Sequence, residues 1–267
     1  MLKTDIAILL FLLAIPLISL IVFVQPNNFQ EALITKSNDL NPLTFFTSVF
    51  VHADLGHLLG NLLIFLIFGF ALYFVCKIAD KEKSYLYSLI LLVTLVPLLF
   101  NAIFAIMASL IFQVNVNAFG LSLVVAGCMG LVIPSLRALL KSELENARIS
   151  SHFSFGLFLL TCSFVMYSYT SSLSNLIVFV ALTICGSLFS FFAFFKLARN
   201  IPKEDNKKEK RNLLLTVLIL FLYFVFLGSL FPANIISSQG SVVNIFAHYF
   251  GLFVGLSFAF LIFQYKK

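Results

Sequence analysis

The sequence predicts an all-α polytopic membrane protein, a helical bundle with about eight transmembrane helices and both termini cytoplasmic. Three observations carry that expectation. The 267 residues are 61% hydrophobic and only 10% charged, with 34 phenylalanines. Apolar runs of about 20 residues, the length that crosses a bilayer, recur along the whole chain. The basic residues fall in alternate links between these runs, as the excess of Lys and Arg in cytoplasmic loops requires.

The first apolar run, about residues 6–24, is longer than a signal-peptide core. It is followed by Gln25-Pro-Asn-Asn28 rather than a small-residue cleavage site, so it reads as an uncleaved first span. The loop that follows, about 25–54, is the longest non-spanning stretch, and loops of that length usually carry a function or local structure of their own. Within it, Leu43–Val51 is apolar enough to lie at the lipid interface. Asp54 is placed to cap span two, about 55–76, because a carboxylate at a helix start accepts from free backbone N–H groups. Lys77, Lys81 and Lys83 close that span.

Span three, about 85–112, is long enough to tilt. Span four is about 119–140, with Arg137 and Lys141 at its far end. Spans five and six, about 153–171 and 175–195, are joined by a short polar turn. A charged link, Lys196 to Arg211, leads to span seven at about 212–231. Span eight, about 242–263, ends near Lys266 and Lys267. The chain shows no internal repeat or low-complexity tract, and residues 1–267 read as a single membrane-embedded domain.

With the amino terminus inside, the inner segments hold sixteen of the seventeen Lys and Arg, and the outer loops hold only Lys36. The net charge of +6 is thus spread over cytoplasmic links, which argues against nucleic acid as a partner. Cys76, Cys128, Cys162 and Cys185 lie in or beside apolar segments with no CxxC pair. They read as small buried thiols, not disulfide partners or metal ligands.

Three polar stretches interrupt this apolar background. They are His52-Ala-Asp-Leu-Gly-His57-Leu-Leu-Gly-Asn61, the turn around Ser122, and Ala247-His248-Tyr-Phe-Gly251-Leu-Phe-Val-Gly255. Viewed alone, Ser122 reads as an ordinary membrane serine bonding its own helix, and His248 as a packing hydrogen-bonder. Together they say more. Spans two, four and eight all run from outside to inside, and His57, Ser122 and His248 sit in their first turns, at one depth.

Peptide hydrolysis needs a nucleophile, a base and donors for the developing oxyanion. Ser122 and His248 supply the first two. No Asp or Glu is expected within a span core, so a Ser–His dyad is predicted rather than a triad. His57 and Asn61, four apart, share a helix face and can both donate to one oxygen, with the Ser122 N–H as a further donor. Ser122, Ala126 and Gly130 form one stripe of small residues, and His248, Gly251, Gly255 and Ala259 another. Such faces let two membrane helices approach closely, which predicts contact between spans four and eight.

At these residues the chain resembles the rhomboid family of intramembrane serine proteases. Thr44-Phe-Phe-Thr-Ser-Val-Phe-Val-His52-Ala-Asp-Leu-Gly-His57-Leu-Leu-Gly-Asn61 resembles the family's HxxxxHxxxN segment. Phe119-Gly120-Leu-Ser122-Leu123 resembles its GxSG serine motif, and Ala247 to Gly255 its AHxxGxxxG histidine motif. The matches run in the family's order through residues 43–259. The resemblance implies a rhomboid-like helical bundle, a Ser122–His248 dyad and oxyanion donors at His57 and Asn61. It implies supporting roles for His52, Gly120, Gly251 and Gly255. It also implies a multi-pass protein of the cell membrane that needs no cofactor or metal. Its partners would be the lipid bilayer and transmembrane protein substrates, cut near the outer surface.

Three departures stand beside the match. Leu123 occupies the place of the motif's second glycine. The chain has no tryptophan, so the Trp-Arg pair often found in the family's first outer loop is missing. The family's common core has one span between the serine and histidine helices, where this chain has three. The extra pair falls within about 153–231 and preserves parity. Two other functions compete: an inactive rhomboid-like protein that binds or escorts membrane segments, and a small transporter. A transporter would want its polar residues at mid-depth, whereas here they cluster near one surface.

Overall fold

The computed structural model describes residues 3–144, 147–168, 173–200, 207–231 and 244–264. It is an all-α polytopic architecture. Among the described residues seven helices are long and apolar enough to cross a membrane: Lys3–Phe23, Leu55–Ile78, Glu82–Ile111, Ser122–Ser142, Ser174–Ala193, Lys210–Leu230 and Ile245–Phe263. They correspond to seven of the eight predicted spans. The other predicted span, the fifth, is a shorter apolar helix, Ser151–Tyr167, among these residues. Its expected end at 169–171, residues 201–206 of the charged link, the start of span eight at 242–243, and Lys266 and Lys267 lie outside the described residues.

The chain forms two compact units. The first draws on Met1–Tyr73, Glu82–Leu131 and Ile235–Lys267. It opens with α1 (Lys3–Phe23), then the short α2 (Asn27–Leu33) and α3 (Pro42–Thr47), and a 3₁₀ turn, Ser48–Phe50. The Leu43–Val51 segment predicted to be interfacial is thus one short helix and one tight turn. Asn41 caps α3, its side chain accepting from the Leu43 N–H at 3.0 Å, with Pro42 at the first helical position where no N–H is needed. Next come most of α4 (Leu55–Ile78), then α5 (Glu82–Val93) and α6 (Leu95–Ile106). Predicted span three is one apolar helical stretch, Glu82–Ile111, with a distortion at Thr94, where Pro97 in the first turn of α6 cannot donate to the carbonyl of Val93. A π-helical turn, Met107–Ile111, ends it.

The core of this unit is α7 (Ser122–Gly130), in which every residue from Leu123 to Gly130 is buried. It packs against α5 and against α12 (Ile245–Gln264). At the far end Leu12 of α1 covers Gly69 of α4, where a Cβ would come 2.6 Å from the leucine Cδ2. The Tyr85 hydroxyl donates to the Gly69 carbonyl at 2.6 Å. Asp5, 2% exposed, accepts from the Tyr73 hydroxyl at 2.9 Å, so this carboxylate is buried in a partnered setting.

The second unit comprises Phe74–Lys81 and Val132–Asn234. It holds α8 (Val132–Leu144), α9 (Ala147–Ser168), α10 (Leu173–Asn200) and α11 (Lys207–Leu230). Predicted span four is likewise one apolar stretch, Ser122–Ser142, in which α7 gives way to α8 at Leu131, ahead of a proline. Pro134 has no N–H for the carbonyl of Gly130. Helices α9 and α10 meet at glycines: a Cβ on Gly186 would lie 2.9 Å from the backbone N of Leu160. The hydroxyls of Thr161 and Tyr223, 2.9 Å apart, tie α11 to α9. Of the four thiols expected to be buried, Cys76 and Cys128 are, Cys162 is half-buried, and Cys185 is exposed. Cys185 differs because most of α10 faces outward, with only 11% of its apolar stretch buried.

Candidate functional site

The long first loop has local structure, and much of it grips the segment just before Ser122. Strand β1 (Thr35–Lys36) pairs antiparallel with β2 (Asn117–Ala118), in register Thr35 to Ala118 and Lys36 to Asn117. Ser37 extends the pairing: its N–H donates to the Val116 carbonyl and its hydroxyl accepts from the Val116 N–H, both at 3.0 Å. The same hydroxyl donates to the Val114 carbonyl at 2.9 Å. Residues 35 and 118, distant in sequence, become one short ribbon leading into α7.

The next residues are held individually. The Gly120 N–H donates to the Ser48 carbonyl at 2.9 Å. Gly120 has φ of +109°, a conformation that a side chain disfavours, and the His57 ring lies against it. A Cβ there would stand 3.1 Å from the His57 Cε1. The Leu121 N–H donates to His52 Nε2 at 3.4 Å, and the Phe50 carbonyl lies 3.3 Å from His52 Nδ1. This pairing assigns the ring proton to Nδ1 and leaves Nε2 as acceptor. Burial first, then the neighbouring His57, push the His52 pKa down to about 4, so the ring is neutral at ordinary pH. The two rings meet edge to face with centroids 5.2 Å apart.

The helices that carry His57 and His248 both begin at side-chain caps. Asp54 Oδ1 accepts from the His57 N–H at 2.8 Å, as its position in the sequence predicts. Asn244 Oδ1 accepts from the Ala247 N–H at 3.2 Å, capping α12 one residue ahead of His248. His57 is half-buried and His248 is buried, each in the first turn of its helix. Asn61, one turn beyond His57, is also buried, and its Nδ2 has no hydrogen-bond partner. Leaving such a donor unpaired costs roughly 1–3 kcal/mol.

Helices α7 and α12 touch backbone to backbone. A Cβ on Gly251 would overlap the Leu123 carbonyl oxygen and come 3.1 Å from the Ala126 Cβ. One on Gly255 would overlap the Gly127 carbonyl, and one on Gly130 would overlap the Leu252 carbonyl. The contacts advance together along both helices, so the pair runs parallel. On α7 Ser122 immediately precedes the Leu123 contact, and on α12 His248 lies one turn before Gly251. The predicted stripes supply most of the seam: Ala126, Gly130, Gly251 and Gly255 all stand in it, joined by Gly127 and the Leu123 backbone, with Ser122 at its edge.

At that edge Ser122 lines a small cleft with about 290 Å³ of empty space, part of it open to the outside. Its walls include Ser48, Asn101, Gly120, Leu123, Asn244 and Ala247. The structure thus brings His52, His57 and Gly120 together beside the start of α7, and Ser122 together with Ala247 and Asn244. Gly251 and Gly255 act in the seam. Sequence reasoning missed Ser48, Asn101 and Asn244. The available signal was Asn101, a lone amide inside an otherwise apolar span.

No protein-family model matches the chain, and no curated protein or solved structure matches it either.

Proposed function

We propose that this protein is an intramembrane serine protease, cutting transmembrane segments of other membrane proteins with Ser122 as nucleophile and His248 as base. The supporting observation is the glycine seam between α7 and α12, whose first contact sets Gly251, three residues after His248, against the Leu123 carbonyl and the Ala126 Cβ, one and four residues after Ser122. In a close parallel pair, residues one turn before the contact lie at one level. The imidazole takes the serine proton as the hydroxyl attacks the substrate carbonyl, then returns it to the leaving amine. His57 and the unpaired Nδ2 of Asn61 serve the oxyanion, with the Ser122 N–H at the free end of α7. A helical substrate must unwind before its carbonyl is exposed, so helix-breaking residues near the cut favour cleavage.

Under this reading the fold is rhomboid-like, the site faces the outer surface of the cell membrane, and both termini are cytoplasmic. The distribution of Lys and Arg supports that orientation. A transmembrane-segment reporter incorporated with the protein in liposomes tests it. Ser122→Ala and His248→Ala should each abolish cleavage of the reporter, and cleavage that persists in either rules the dyad out.

One observation favours a second reading, a protein that binds membrane segments without cutting them. Leu123, where the motif has glycine, lines the same cleft as Ser122. Reporter segments that bind the wild-type chain and stay intact would decide for it.

A further inference from the structure

We propose that Asn101 is a positioning residue which, through Ser48, holds the backbone of Gly120–Ser122 in the conformation the serine needs; its catalytic consequence rests on the protease reading above. Asn101 lies in α6 and is 4% exposed. An amide on an apolar membrane helix is costly unless its polar atoms are used. Here both donated bonds go to one place. Nδ2 reaches the Phe45 carbonyl at 2.7 Å and the Ser48 hydroxyl at 3.0 Å. The Ser48 hydroxyl also lies 3.2 Å from the Thr35 hydroxyl, which donates to the Thr44 carbonyl at 2.9 Å. Ser48 is thereby fixed from two sides, by α6 and by the residue that starts the β1–β2 pairing.

What Ser48 then holds is Gly120. Its carbonyl takes the Gly120 N–H at 2.9 Å, two residues before the nucleophile. Glycine at φ of +109° has no side chain to limit it, so its conformation depends on what its neighbours grip. Two bonds do so: Ser48 to Gly120, and His52 to Leu121. Asn101 also lines the cleft beside Ser122, so its loss acts where the hydroxyl must point. Sub-ångström placement of a reacting group is worth up to about a hundredfold in rate.

The test compares the full-length wild type with Asn101→Leu, which keeps the size and removes the donor, and with Ser48→Thr, which keeps the hydroxyl. Amide hydrogen exchange is read in the Ser122→Ala background. Exchange across residues 117–122 should rise about tenfold in Asn101→Leu while the α9–α11 helices stay unchanged, and Ser48→Thr should match the parent. In the active chain, Asn101→Leu should lower kcat about tenfold with KM within about twofold. Unchanged exchange at 117–122, or protection lost evenly over the whole chain, overturns the proposal. So does a kcat loss that only follows the folded fraction. A wild type that cleaves nothing ends the protease reading alone, and the exchange comparison still supports or overturns the tether.

Discussion

Gly255 of α12 lies so close to Gly127 of α7 that a single added methyl would overlap the Gly127 carbonyl oxygen. No flexible side chain separates the two backbones at this point, so neither can yield cheaply. Nothing stands within 4 Å of a Cβ built on Gly60 in α4, which is exposed. The two glycines therefore predict opposite outcomes. Gly255→Ala should cost about 2 kcal/mol or more and abolish activity, since overpacking forces the helices apart. Gly60→Ala should be neutral or gain up to about 1 kcal/mol, because alanine is the better helix residue. Thermal unfolding followed by circular dichroism measures both. Equal melting temperatures for the two variants would remove the seam from the account.

His52 links pH to stability. Its folded pKa is lowered to about 4 from the ordinary value of 6.5. Above pH 6.5 the ring is neutral in both states and the fold keeps its full stability. As pH falls from 6.5 toward 4, the unfolded chain binds a proton that the folded chain refuses, so stability is lost. The loss is at most about 1.4 kcal/mol per pH unit and levels off below the folded pKa. A proton on Nε2 would also remove the acceptor for the Leu121 N–H. His52→Gln keeps a neutral acceptor, so its stability should fall less steeply over the same interval. Parallel pH curves for the two chains would show that His52 is not the group responsible.

The caps on the two histidine helices predict a matched pair of effects. Asp54→Ala and Asn244→Ala should each cost about 1 kcal/mol, whereas Asp54→Asn and Asn244→Asp should cost little. Hydrogen exchange should locate the damage in the first turns of α4 and α12. Damage spread evenly over the chain would mean that these residues do something other than cap.

Leu123 bears on the size of the cleft. It is 3% exposed and is among the residues that line the cleft beside Ser122. Leu123→Ala should cost about 2–4 kcal/mol, as for other buried leucines. It should also widen the cleft and raise kcat/KM for reporters with larger residues at the cut. A fall in kcat/KM for all reporters alike would argue that the leucine is needed where it stands.

Most of the bundle was legible because bilayer thickness sets span length, and a run of apolar residues reports it directly. The distortions at Thr94 and Leu131, inside the two continuous apolar stretches, were legible in principle. Pro97 and Pro134 mark the carbonyls that lose their partners, yet hydropathy alone carries across both. The Asp54 cap and the contact between the serine and histidine helices were foreseen from spacing. The stripes placed Ala126, Gly130, Gly251 and Gly255 in the seam, and what they left out was Gly127 and the Leu123 carbonyl, because small-residue spacing does not report backbone contacts. Nothing local announces that Thr35 pairs with Ala118, or that Asn101 reaches Ser48. Those contacts depend on the path of the first loop, which no periodicity encodes.

The central claim is that Ser122 is a nucleophile activated by His248. Treating the purified full-length protein with a fluorophosphonate probe and mapping the adduct by mass spectrometry tests it most directly. The account predicts one adduct, on Ser122, that disappears in His248→Ala while a folded Gly60→Ala control still labels. An unlabelled Ser122 in the wild-type chain, or labelling that survives His248→Ala at full rate, would contradict it.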